Sequence, residues 1–334
     1  MDTTLKAIST GTLRTRLYRD GRLEAEDLSI AEISERFADP ACVAWLDMCA
    51  PSADDLAAIG EQLGLHELAV EDVMQPHQRS TLDIYDNHLF MTVYGTWPDT
   101  GTGRFGTTEL NLFLTRRALI TVRENDRFDM GEVVRRWDCQ PDLAAHGVAF
   151  LLHGLLDVVV DGHFEIVESL DDQVETLEDE IFTQRPAGRD LQRRIFDLRR
   201  ALVRMRRIVL PLRQVVDSLL RHDLFVSKAA MAPYFQDVHD HIMRITEWGE
   251  SLREMVSNVH QAQLSLQGYH LSEIMKKVTS WAAIIAVPTM ITGFYGQNVP
   301  FPGSGQSIGV WTAVVIMAAA SATLYAVFRG RKWI

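Results

Sequence analysis

From Val278 to Phe328 the chain holds no Asp, Glu, Lys, Arg or His, although 23% of its 334 residues are charged. Core helices of that combined length carry charges on their outward side, so this absence argues against a buried hairpin of a soluble protein. Cysteine is scarce as well. Cys42, Cys49 and Cys139 have no paired zinc-ligand spacing, and their odd number reads as free thiols used in packing, with no disulfide framework. The sequence also lacks a Gly-x-x-x-x-Gly-Lys-Ser/Thr loop, a His-Glu-x-x-His pair and a Gly-x-Ser-x-Gly elbow, which leaves no nucleotide-driven engine and no recognisable enzyme. A basic excess is missing too: the net charge of −12 disfavours a nucleic-acid partner. Met1 to Lys6 lack the basic and apolar stretches of a secretory signal.

Within the uncharged run, Val278–Gly296 and Ile308–Phe328 are predominantly apolar. As helices of about 20 residues, each matches a hydrocarbon core roughly 30 Å thick. Lys276 and Lys277 precede the first span, Arg329, Arg331 and Lys332 follow the second, and the connecting loop has no basic residue. The positive-inside rule then places both termini in the cytoplasm of a multi-pass plasma (inner) membrane protein. Two spans cannot enclose a channel alone, so a conducting form is a homo-oligomer.

The remainder reads as an α+β cytoplasmic domain followed by long helices. Leu82–Trp97 and Thr107–Val122 are β-branched and aromatic runs joined by the turn chemistry of residues 98–103, and Asp54–Leu63 and His66–Met74 have helical spacing. Val167, Leu170, Val174, Leu177 and Ile181 recur at threes and fours, as do Ile195, Leu198, Leu202, Met205, Val209, Leu212, Val216 and Leu219, predicting an antiparallel helical hairpin. Its first helix carries eight acids between Glu165 and Glu180 and its second nine arginines between Arg193 and Arg221, opposite signs that favour pairing of the two. Pro211 is expected to kink or end the second helix. From Pro233 no strong breaker follows until Pro288, so one helix of roughly 80 Å runs from cytoplasm into bilayer. The chain thus divides into a domain over 1–144, the hairpin over 145–228, a stalk over 229–277, spans over 278–298 and 308–328 flanking an external loop at 299–307, and a basic tail at 329–334.

Met275, Val278, Ala282, Ala286, Thr289 and Gly293 share one helical stripe, suited either to a narrow hydrophobic pore or to tight helix packing. No ionisable group in it supports a proton relay. His239, Asp240 and His241 are sequence neighbours that do not share a helical face, which disfavours one metal site built from all three.

At the end of the first span stands Tyr295-Gly296-Gln297-Asn298. This resembles the Gly-Met-Asn signature that follows a Tyr in the CorA family of divalent-cation channels, with Gln297 in place of Met. Ser272-Glu273-Ile274-Met275-Lys276 is similar to the family's Asn-Glu-Val-Met-Lys, and Tyr234 to His241 to its motif on the long helix. Leu63 to Asp72, His77-Gln78-Arg79 and Lys332-Trp333-Ile334 extend the likeness over the whole chain.

The resemblance implies a funnel-shaped homopentamer with the first span lining the pore and the second facing lipid. Gly296, Gln297 and Asn298 would form the selectivity filter, the Asn298 ring accepting hydrogen bonds from a hydrated ion, since Mg²⁺ sheds its waters reluctantly. Ser272 would supply an inner polar ring, and Met275 and Val278 a constriction that gates by dewetting. Glu71, Asp72 and Asp237 fall where the family holds regulatory Mg²⁺ between subunits. The function so implied is Mg²⁺ uptake, with Co²⁺ or Ni²⁺ also passed, down the electrochemical gradient and gated by cytoplasmic Mg²⁺, without nucleotide. A Zn²⁺ transporter of the related branch and a non-conducting membrane metal sensor are the alternatives.

Overall fold

The computed structural model describes residues 13–75, 79–99, 104–183, 189–221, 230–297 and 306–334. Two compact units emerge, one comprising Met1–Asp179 with Gln192–Ser257, the other Glu180–Leu191 with Asn258–Ile334.

In the first unit, β1 (Leu13–Arg19) and β2 (Arg22–Glu26) form a hairpin turned by Asp20 (φ 48°) and Gly21 (φ 79°). Two successive left-handed residues suit the twist of a two-residue hairpin, and Asp-Gly adopts them at low cost. Beyond β3 (Cys42–Cys49) come β4 (Thr81–Ile84), β5 (Leu89–Asp99), β6 (Arg104–Leu114) and β7 (Ala118–Arg123). The seven strands lie in the order β2-β1-β3-β7-β6-β5-β4, with only β3 and β7 parallel. The two runs expected as single strands are therefore four. Tyr85 N donates to His88 O around Asp86-Asn87, and Thr115 N donates to Ala118 O, so each run folds back on itself midway.

Three short helices cover one face: α1 (Ile30–Arg36), α2 (Ala53–Leu63) and α3 (Glu67–Val73). Ser29 with Glu32 and Ser52 with Asp55 form reciprocal capping boxes that start α1 and α2, and Gly64 (φ 67°) ends α2 in the left-handed conformation. The core beneath them joins Leu17, Ile33, Leu46, Met48, Leu56, Ile59, Ala69, Phe90 and Ile120. On the opposite face Trp45 meets Trp137 edge-on, centroids 5.1 Å apart, from α4 (Met130–Asp138). After the short α5 (Pro141–Ala144), α6 (Val148–Thr183) crosses the same face, His163 bonding Tyr94 O at 2.8 Å.

The helix α7 (Arg189–Arg221) and the start of α8 (Ala232–Tyr295) complete this unit. Both apolar series predicted for the hairpin are buried throughout. α7 continues through Pro211, because the buried Ile208, Val209, Leu212, Val215 and Val216 hold both sides of the proline in helical register. The apolar series of both helices are buried, and this burial is the stronger term where exposed ion pairs contribute only about 0–1 kcal/mol.

The second unit contains the remainder of α8 and α9 (Ser307–Gly330). α8 is a single helix of 64 residues with Pro288 inside it. Arg329 donates to Tyr325 Oη at 3.2 Å, and Trp333 stacks on Phe328. All three cysteines are free; Cys42 is packed in the core, but Cys139 is exposed, so packing does not account for it.

Candidate ion pathway and metal sites

Among the described residues two helices, α8 and α9, are long and apolar enough to cross a membrane, and only 6% of each most apolar window is buried in the chain. Met290 is 70% exposed and Trp311 69%. A soluble hairpin would hide such side chains, whereas these need lipid or neighbouring copies.

Along α8 the covered side is the Ser280, Ala283, Ile284, Val287 and Ile291 face, Ser280 being 1% exposed. Ser272, Met275, Val278, Ala282, Ala286, Thr289 and Gly293 all lie on the exposed arc opposite. Three hydroxyls on this segment are turned inward to the backbone. Ser280 donates to Lys276 O, Thr289 to Ile285 O and Thr292 to Pro288 O, at 2.8 to 3.0 Å. They add no strong cation ligand to the stripe. Beyond α8, Gly296 N donates to Thr292 O and Gln297 N to Phe294 O, closing the helix with exposed residues. A side chain at 296 would bring its Cβ to 3.0 Å from Thr292 O, so glycine permits this tight close. Asn298 lies outside the described residues.

Glu71 and Asp72 sit on α3. Glu71 is exposed and accepts from Gln75 at 3.4 Å, and Asp72 is half-buried near Tyr85, whose hydroxyl burial and then the Asp83 and Asp72 charges push up. Asp237 is exposed on α8, its Oδ1 3.9 Å from His241 Nε2. One chain does not gather Glu71, Asp72 and Asp237 into a three-donor group.

It does gather a set that the sequence reading missed. Asp157 and Asp161, one turn apart on α6, and His241 on α8 bring their donor atoms within 4.8 Å of one another. Arg136 of α4 already forks across the carboxylates, 2.5 Å to Asp157 and 2.9 Å to Asp161. A cation entering here would compete with that guanidinium. Two carboxylates suit a hard divalent ion, and an imidazole adds affinity for a transition metal. Burial pushes the neighbouring His153 down against the pull of Asp157 and Asp237, keeping it neutral. His239 turns away to α7, where its Nε2 lies 2.9 Å from Asp217. The i, i+4 spacing of Asp157 and Asp161 was visible in the sequence, but nothing there linked it to His241.

The cobalt/magnesium transport protein CorA of Thermotoga maritima is 29% identical over 345 aligned residues, spanning 98% of this chain and 97% of the relative. The cobalt/magnesium transport protein CorA of Methanocaldococcus jannaschii is 23% identical, over 87% of this chain and 91% of the relative. The complete structure of the CorA magnesium transporter from the same archaeon superposes with a TM-score of 0.80 at 20% identity, covering 97% of this chain and 99% of that one, which establishes the shared fold. A family model described as CorA-like Mg²⁺ transporter protein matches residues 41–331, and with it the chain belongs to the CorA-like Mg²⁺ transporter family.

Proposed function

We propose that this protein is a homopentameric channel of the plasma membrane that admits Mg²⁺, and also Co²⁺ or Ni²⁺, down the electrochemical gradient. The observation that carries this reading is α8, one uninterrupted helix with exposed acids near its start and an exposed uncharged stripe near its end. Five copies around an axis would turn Ser272, Met275, Val278, Ala282, Ala286, Thr289 and Gly293 toward a common passage. Gly296, Gln297 and Asn298 would form its outer filter. Neutral amide oxygens attract a hydrated cation without trapping it, and inward movement of a divalent ion releases about 4.6 kcal/mol per 100 mV, twice the single-charge value. No nucleotide is required.

Gating follows from carboxylate repulsion. Glu71, Asp72 and Asp237 from adjoining copies repel unless a cation bridges them, so abundant cytoplasmic Mg²⁺ holds the ring shut and depletion releases it. His241 places a further donor 3.9 Å from Asp237. Met275 and Val278, 61% and 58% exposed in one chain, are apolar enough to close a constriction by dewetting. The second reading, Zn²⁺ transport, is favoured by Gln297, whose amide stands where the family signature has Met. Flux into proteoliposomes, comparing Mg²⁺ with Zn²⁺ with and without a pH gradient and at stepped internal Mg²⁺, separates these. Mg²⁺ uptake that falls as internal Mg²⁺ rises, and that is lost in Asn298→Ala, is expected; unchanged uptake in that variant removes the filter assignment.

A further inference from the structure

α7 has a second face besides its buried seam. Phe196, Arg199, Arg200, Val203 and Arg207 follow at helical spacing and are all exposed, Phe196 by 65% and Val203 by 38%. With Arg104, Phe105 and Arg204 they line a groove of about 740 Å³. Arg204 is held over the Phe105 ring at 5.3 Å and donates to Phe105 O and Thr107 Oγ1, and Arg104 pairs with Asp197 at 3.0 Å. Arg199, Arg200 and Arg207 have no acidic partner among the described residues. This is a concentrated basic patch with apolar footing in a chain of net charge −12.

A matching surface stands on α6. Glu165, Glu168, Asp172 and Glu175, at intervals of three, four and three, are exposed along one stripe, beside Phe164, itself 38% exposed. None of the four is in an ion pair among the described residues. The acidic stripe extends about 15 Å and the basic one about 16 Å at 1.5 Å rise per residue. Each stripe lies on the side of its helix away from that helix's buried apolar series, and among the described residues the two stripes form no ion pair with one another within one chain.

We propose that the α6 acidic stripe of one copy docks in the α7 basic groove of the next copy. A small anion would neutralise the arginines but leave Phe196 and Val203 uncovered, whereas a helix carrying acids and Phe164 covers both. The contact joins two different faces, so it is heterologous, and repeated copies form a ring where the rotation closes. In that respect it rests on the cyclic assembly proposed above.

The test uses the full chain in detergent, with Cys49→Ala and Cys139→Ser removing the accessible thiols, and cysteines introduced as Glu168→Cys and Arg200→Cys. A short bismaleimide should give a denaturation-resistant ladder reaching the ring size only when both cysteines are present. An intact ring by light scattering without a ladder, or a bridge confined to single chains, overturns the contact alone; a monomer overturns both it and the ring. Charge reversal supplies the independent arm. Arg199→Glu with Arg200→Glu and Arg207→Glu should weaken assembly at least tenfold, as should Glu165→Arg with Glu168→Arg and Asp172→Arg, and combining all six should restore it. Failure of the combined variant to recover, with helix content unchanged, also overturns the proposal.

Discussion

Asp47 and Arg123 sit in the centre of the sheet with side chains 1% and 6% exposed. Arg123 reaches both oxygens of Asp47, at 2.8 to 3.2 Å, and Thr121 donates to the same carboxylate at 2.7 Å. Removing one charge strands the other in low dielectric, so Asp47→Asn should lower stability by about 3–5 kcal/mol. Denaturant titration followed by tryptophan fluorescence reads this directly, because Trp45 donates to Thr121 and packs on Trp137. A loss below about 1 kcal/mol would mean that water reaches the pair. His163 gives a second residue-scale expectation. Complete burial holds its imidazole down to about 4, opposed by the bond to Tyr94 O. The unfolded chain takes up this proton near pH 6.5 and the folded chain does not, so the unfolded state binds more protons between those values. Stability is therefore full above about pH 6.5 and falls on acidification toward 4. Between pH 6.5 and 5 this residue alone removes about 2 kcal/mol, and the slope of unfolding free energy against pH should flatten in His163→Gln.

Among the elements, α6 is placed by a glycine. A Cβ on Gly154 would meet Trp137 Nε1 at 2.5 Å, where the indole donates to Leu151 O at 3.1 Å. In an exposed helix, replacing glycine by alanine is stabilising by about 1 kcal/mol. Here overpacking reverses the sign, and Gly154→Ala should lose about 1–3 kcal/mol with a changed near-ultraviolet signal from Trp137. Stabilisation would show that the helix and indole separate freely. Much at this scale was legible beforehand. The apolar series of α6 and α7 required only threes and fours, α3 lies within its predicted helical stretch, and α2 begins one residue before its own. The hairpin of β1 and β2 was not among the expected strands, although Asp20-Gly21 and the alternation of Leu23 and Ala25 with Arg22, Glu24 and Glu26 carry its signal; its apolar side chains are few and short.

For the whole molecule, function depends on what single copies leave open. The spans are apolar and uncovered, Asp237 is exposed, and Glu71 and Asp72 belong to a different surface helix. If bridging by Mg²⁺ closes the ring, Asp72→Asn and Asp237→Asn should each shift half-maximal inhibition of flux to higher internal Mg²⁺, by about tenfold for each 1.4 kcal/mol of bridging lost. Unshifted inhibition in both variants would move regulation elsewhere, with Asp157, Asp161 and His241 the next donors to vary.

The sequence by itself determined where the two long uncharged apolar stretches lie, that long helices follow an α+β domain, and which residues of α6 and α7 are buried. Those properties arise from composition and from spacings of at most four residues, which one stretch of chain encodes alone. Only the tertiary structure decided that β3 runs parallel beside β7, and that Asp157 and Asp161 meet His241 while His239 faces Asp217. Each of these joins residues that distant chain segments bring together. Pairings of that kind are fixed by how the chain closes, not by local preference.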